Sequence, residues 1–302
     1  MTNDEEIKEV TPEMLSEYKK SFKNLIKGPF SDYKDSSLKE LLKKDEKEIL
    51  KVFAAAVAQG YDDAKRTFTG ISQVWEPDKD RKSLFFTEIA KKIYEVFNTS
   101  TKFDNWHNEA CVYFQNELNQ KTDFKNNPYN KATYGQAQKV INMAFKYLYC
   151  MKDAEHYHDI FDKCHMPLDS FTLEWYRRYV CKDYMFEKNS KAKLKSDTVW
   201  SKLVPEEYTA ITALINDRLS SKDKPLSIKI GHNDFHLPTQ PLYTEFIIWP
   251  EMQRHISAEE FLFSLGNYTS EKNNIRERDL LAKFGMILES IGKYLSDSSD
   301  RQ

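Results

Sequence analysis

Eight glycines in 302 residues are too few to turn a β-rich chain at every strand end, because tight hairpins draw their positive-φ corners largely from glycine. Lys, Glu and Leu abound instead, and these residues lose little side-chain freedom in a helix. The chain is therefore expected to be mainly α, a multi-helix orthogonal bundle with room for a short hairpin around 226–249. At this length it can bury a sizeable core as one large domain or two smaller ones.

Apolar spacing supports that reading along the chain. Met14, Leu15, Tyr18, Phe22, Leu25 and Ile26 form one stripe, closed by Gly28-Pro29. Asp45, with Glu48 three residues on, starts a helix over Ile49 to Ala58, with Gly60 placed to end it as a C′ glycine. Leu84, Phe85, Ile89, Ile93, Tyr94 and Phe97 mark the next helix, and Asp104 is expected to cap one carrying Trp106, Ala110, Phe114 and Leu118.

The polar stretch from Lys121 to Lys131 then interrupts. Its Asn126-Asn127-Pro128 turn divides an N-terminal helical region, 1–125, from a second helical region, 126–302. Thr133 caps a helix reaching about Met151, another begins near Asp169 or Ser170, and Pro205 opens a third. Residues 223–255 hold four of the ten prolines and read as an irregular crossing or small hairpin. Ser257 with Glu260 caps Phe261 to Leu265, Gly266 stops it, and Leu280 to Leu295 is a terminal amphipathic helix. No internal repeat is visible.

With 45 basic against 47 acidic residues the formal charge is −2, so no global field draws the chain to nucleic acid. A DNA contact would be a local patch, and the lysines of 188–195 are the place for one. Cys111, Cys150, Cys164 and Cys181 form no C-x-x-C pair, which suits reduced, mostly buried thiols. The acidic N-terminus lacks a signal-peptide core and no window approaches 18 apolar residues, so a cytoplasmic protein without membrane insertion is expected.

One pairing stands out. Lys139 follows Gly135 in the first turns of an apolar helix, and Asp169 stands thirty positions on, behind Pro167, at the start of another. An amine and a carboxylate facing each other across a cleft suit a nucleophile and its electrostatic partner. Helical geometry puts Lys139 about 200° around the axis from the buried Ala137, on the side of Met143, Lys146 and Cys150. It is expected off the core stripe. Gly135 permits close approach of another backbone or a phosphate, and Asp169 by itself reads as a helix cap.

Gly135-x-Ala137-x-Lys139 followed by Pro167-x-Asp169 resembles the signature of the helix-hairpin-helix DNA glycosylases, in particular their 8-oxoguanine branch. Ala137 stands where that hairpin carries its second glycine, and Tyr134 where a proline is common. The resemblance spans Thr133 to Val180 and implies a DNA base-excision enzyme without cofactor or metal. It assigns Lys139 as nucleophile and Asp169 as its acidic partner. It also implies that a flipped-out nucleotide is held with the help of Gly135, Gln136, Gln138, His165, Trp175 and Tyr176.

Other constellations compete. His156, His158, Cys164 and His165, with Cys150 upstream, offer zinc-ligand types without a standard zinc spacing. His232 and Asp234 invite acid–base chemistry of the kind a histidine-dependent ribonuclease uses. The remaining alternative is a non-catalytic helical interaction or regulatory protein, for instance of a stress or anti-phage defence system, in which Lys139 and Asp169 are a surface ion pair and a cap.

Overall fold

In the computed structural model the described residues are 7–68, 79–99, 102–121, 131–181 and 198–270. They build a mainly α, multi-helix bundle with one small sheet. The principal helices are α1 (Pro12–Leu25), α2 (Glu46–Ala64), α3 (Lys79–Asn98), α4 (Phe103–Lys121), α5 (Tyr134–Tyr149), α6 (Ser170–Trp175), α7 (Pro205–Ser220) and α8 (Pro241–Ser270). No helix among the described residues is long and apolar enough to cross a membrane. The lysines of 188–195, the Asn126-Asn127-Pro128 turn and the terminal helix expected at 280–295 lie outside the described residues.

Start signals behave as their chemistry dictates. Thr11 accepts from the Met14 N–H ahead of Pro12, and the Asp45 carboxylate accepts from the Glu48 N–H at 2.9 Å, in each case satisfying a donor the first helical turn leaves free. Stop signals differ. α2 runs through Gly60 to Ala64, because this glycine serves packing rather than termination. A Cβ there would stand 2.6 Å from the Val140 carbonyl oxygen, so its absence lets α2 lie directly on α5.

Helix α5 is the axle of the fold. Each of its residues from Tyr134 to Tyr149 is buried, with α2, α4, α7 and the turn Trp200–Lys202 packed around it. A helix enclosed on all sides is normally apolar throughout. This one buries Gln136, Gln138, Lys139, Asn142 and Lys146, and each polar group so placed needs a partner. The expectation that Lys139 lies outside the core is thereby corrected, since periodicity within one helix does not register neighbours closing over its polar side.

The hairpin is shorter than 226–249. β2 (Ser227–Ile230) pairs antiparallel with β3 (Asn233–His236), and β1 (Lys8–Glu9) adds parallel to β3, giving the order β1-β3-β2. Gly231 turns the corner at φ 62°. From Pro241 the chain is already helical, and α8 continues through Pro250, Ser257 and Gly266 to Ser270. The expected cap at Ser257 and stop at Gly266 are thus interior positions, since a single proline or glycine costs a long helix part of its stability without ending it.

The chain divides into two compact units, Met1–Gln253 and Arg254–Gln302. Helices from both sides of 122–130 share the first unit, where α2 packs on α5. The site described next belongs to that unit.

Candidate active site

The Nζ of Lys139 lies 2.8 Å from Oδ2 of Asp169, with side chains 7 % and 12 % exposed. Local chemistry brings them together. Thr133 and Gln136 form a reciprocal capping box that fixes the first turn of α5, setting the height at which Lys139 emerges. Asp169 is itself the N-cap of α6. Its Oδ1 accepts from the N–H groups of Phe171 and Thr172 at 3.0 and 3.1 Å, while Thr172 Oγ1 accepts from the Asp169 N–H at 2.7 Å. The carboxylate is therefore divided: Oδ1 holds the helix, and Oδ2 accepts from Lys139 and from the indole N–H of Trp249 at 3.1 Å.

A second ion pair lies beside the first. Lys146, two turns further along α5, pairs with Glu245 of α8, the two side chains being 1 % and 0 % exposed. The Lys146 ammonium also sits 3.8 Å from the centroid of the Phe22 ring, with the Phe246 and Trp249 rings at 4.8 and 5.5 Å. Such an aromatic surround stabilises a cation through the negative ring faces.

These groups bound a partly enclosed cavity of about 390 Å³ whose walls include Lys139, Lys146, Asp169, Glu245 and the rings of Phe22, Phe171, Trp200 and Trp249. Asp62, Asp63 and Arg66 also line it, and Asp63 accepts from the Tyr147 hydroxyl. The volume falls within the roughly 300–1,000 Å³ usual for small-ligand pockets. Its walls set apolar rings around a few convergent charges.

The two carboxylates respond oppositely to burial. At Asp169 the desolvation that would raise the carboxyl is outweighed by the charge and hydrogen bond of Lys139, the Thr172 N–H and the charge of Lys146, which hold it below the ordinary aspartate value. At Glu245 burial prevails over the pull of Lys146 and Lys139, with the neighbouring Asp169 charge adding to the rise. One cavity thus keeps one acid firmly ionised and eases protonation of the other.

The other residues expected at the site fall elsewhere. Gly135 approaches backbone, since a Cβ would stand 2.1 Å from the Trp200 carbonyl oxygen, and its N–H donates to Leu203 at 3.0 Å. Gln136 is spent on the capping box and on the Thr67 carbonyl. Gln138 bonds the backbone of Leu168. His165 lies between Asp104 and the Tyr208 hydroxyl, at 2.7 and 3.0 Å, on the wall of a separate cavity of about 640 Å³. Asp104 accordingly serves His165 from the first turn of α4, in place of the expected cap. Trp175 and Tyr176 are wholly buried in the core.

The rival constellations are also resolved in space. His156 and His158 are exposed, whereas Cys150 and Cys164 are buried, and no group of three His, Cys, Asp or Glu among the described residues is placed to hold a metal ion. His232 stands exposed at the hairpin corner.

Sequence reasoning missed Glu245 and Trp249. The available signal was a lone acid inside Leu242–Trp249, a run otherwise of Tyr, Thr and large apolar residues. Reading the proline-rich stretch as irregular concealed that four-residue spacing puts both on one helical face. No protein-family model, curated protein or solved structure matches the chain.

Proposed function

We propose that the protein is a DNA glycosylase-like base-excision enzyme, with Lys139 as nucleophile and Asp169 as the charge that steadies the sugar. The observation that carries this reading is the meeting of two residues thirty positions apart at 2.8 Å on the wall of a ring-lined cavity. A stacked nucleotide hides its C1′ and its glycosidic bond, so the nucleotide must be turned out of the duplex, and the rings of Phe22, Phe171, Trp200 and Trp249 offer faces for its base.

The chemistry balances on these groups. The Lys139 ammonium first gives up a proton to solvent, which frees its lone pair; the nitrogen then forms a bond to C1′ and loses a second proton, while the C1′–N bond breaks and its electron pair leaves with the base, which takes up that proton. Opening of the sugar at O4′ converts the amine adduct into a Schiff base. Positive charge gathers on the sugar as the base departs. A carboxylate held ionised and aimed by two donors, Lys139 and Trp249, suits the task of stabilising that charge.

The test is borohydride reduction in the presence of duplex oligonucleotides carrying an oxidised purine, which converts a Schiff base into a permanent protein–DNA adduct. A covalent adduct with the unaltered protein that vanishes in Lys139→Ala supports the reading. An adduct retained by Lys139→Ala, or no adduct across a panel of modified bases and an abasic site, sinks it.

A further inference from the structure

Gln138 precedes the proposed nucleophile in the chain, and its side chain is 0 % exposed. Its amide is fully committed. Nε2 donates to the carbonyl oxygens of Gly135 and Leu168, both at 2.9 Å, and Oε1 accepts from the Leu168 N–H at 3.2 Å and from Asn142 Nδ2 at 3.1 Å. Two donors and two lone pairs exhaust what a carboxamide can offer. No capacity is left for a substrate.

The use of those bonds is specific. Gln138 grips both the N–H and the C=O of one residue, Leu168, and the peptide carrying that C=O leads straight into Asp169. Asn142, one turn on, continues the grip: it shares its two N–H hydrogens among Gln138 Oε1, the Met166 carbonyl at 3.3 Å and the Tyr208 hydroxyl at 2.9 Å. Nucleophile and carboxylate therefore each stand next in the chain to one half of the same clamp. The direct Lys139–Asp169 bond could form in several side-chain rotamers, whereas a two-point bond to backbone fixes the direction from which Asp169 enters the cavity.

We infer that Gln138 is a positioning residue: by binding the Leu168 backbone at two points it sets the separation and orientation of Lys139 and Asp169. The inference rests on the glycosylase reading for its catalytic consequence, though not for its structural one. A group displaced by about 1 Å from productive geometry can lose on the order of a hundredfold in rate, so the clamp acts on the chemical step and leaves DNA affinity alone.

Gln138→Met keeps length and loses all four bonds, and Gln138→Leu fills similar space without a polar atom, so neither variant adds a charge near Asp169. Two measurements on each variant decide the matter, with native folding checked by circular dichroism. The first is the single-turnover rate of borohydride-trappable adduct formation against the dissociation constant for the same duplex. The rate is expected to fall by roughly tenfold to a hundredfold with affinity within about twofold. The second is the titration of the Asp169 carboxyl carbon by nuclear magnetic resonance, which is expected to shift upward as Lys139 loses register. Should Gln138→Met fold poorly, Gln138→Leu carries both readouts. A folded variant with an unchanged Asp169 titration overturns the inference, as does one that keeps the wild-type trapping rate. If the unaltered protein forms no adduct while the Asp169 titration still moves, the glycosylase reading has failed and the positioning role stands.

Discussion

Lys146 and Glu245 face each other across the interface of α5 and α8 with almost none of either side chain exposed. Two charges so far from water are costly to desolvate, and removing one leaves the other uncompensated. Lys146→Met is expected to destabilise the fold by about 3–5 kcal/mol. Replacing both partners with apolar residues of similar volume is expected to recover most of that loss. Urea unfolding of the single and double variants measures both; a single variant as stable as wild type would show that the pair does not contribute.

Asp169 governs the acid limb of stability. Its folded-state carboxyl lies below the ordinary value, so above the unfolded-state value the ionised form contributes stability, which disappears as pH falls through the folded-state value. Asp169→Asn retains an oxygen for the cap but no charge. Its unfolding free energy is expected to vary less between pH 5 and pH 2 than that of wild type, roughly in the acid range where aspartate titrates. The same variant should lose about a hundredfold or more in adduct formation if the charge steadies the sugar. Chemical denaturation across pH, beside trapping assays, checks the two effects separately.

Two glycines make opposite demands on an added methyl. At Gly135 a Cβ would collide with the Trp200 carbonyl at 2.1 Å, so Gly135→Ala must displace the turn that seats Trp200 against the cavity, at a cost of about 1–3 kcal/mol. At Gly231 nothing lies within 4 Å, yet φ is +62°, so Gly231→Ala costs about 1–2 kcal/mol through backbone strain alone. Gly231→Asn should recover part of it, because asparagine tolerates that region. Calorimetric melting of the three variants ranks them, and only the Gly135 change is expected to alter the cavity.

The thiols should be silent in the native state. All four cysteines are buried, and burial pushes the Cys150 thiol up to about 12 despite nearby lysines. Since the thiolate is the reactive form, Cys150 should resist a thiol reagent at neutral pH until the protein unfolds. Mass spectrometry after timed labelling, with and without denaturant, reads this; rapid native labelling of Cys150 would contradict it.

The sequence revealed the helices best where a cap and an apolar stripe coincided, as at Asp45, Thr133 and Asp169, because those signals are local. It revealed termini poorly at Gly60, whose meaning depends on α5 pressing against it, and at Gly266, which lies inside α8. Lys139 and Asp169 were legible as a pair through their motif. Their enclosure was not, since the reading of the two as a surface ion pair and a cap leaves both side chains in water, whereas neighbouring elements close over them. Glu245 and Trp249 stayed hidden because their place in the site depends on α8 bringing Glu245 to Lys146 of α5, a long-range arrangement that no local window contains.

The division of labour within the Asp169 carboxylate ties the integrity of α6 to that of the buried ion pair. A substitution there cannot trade one for the other: losing the first oxygen frays α6, and losing the second strands an ammonium in the interior. Drift at this position is confined from two sides, whether or not the proposed reaction takes place.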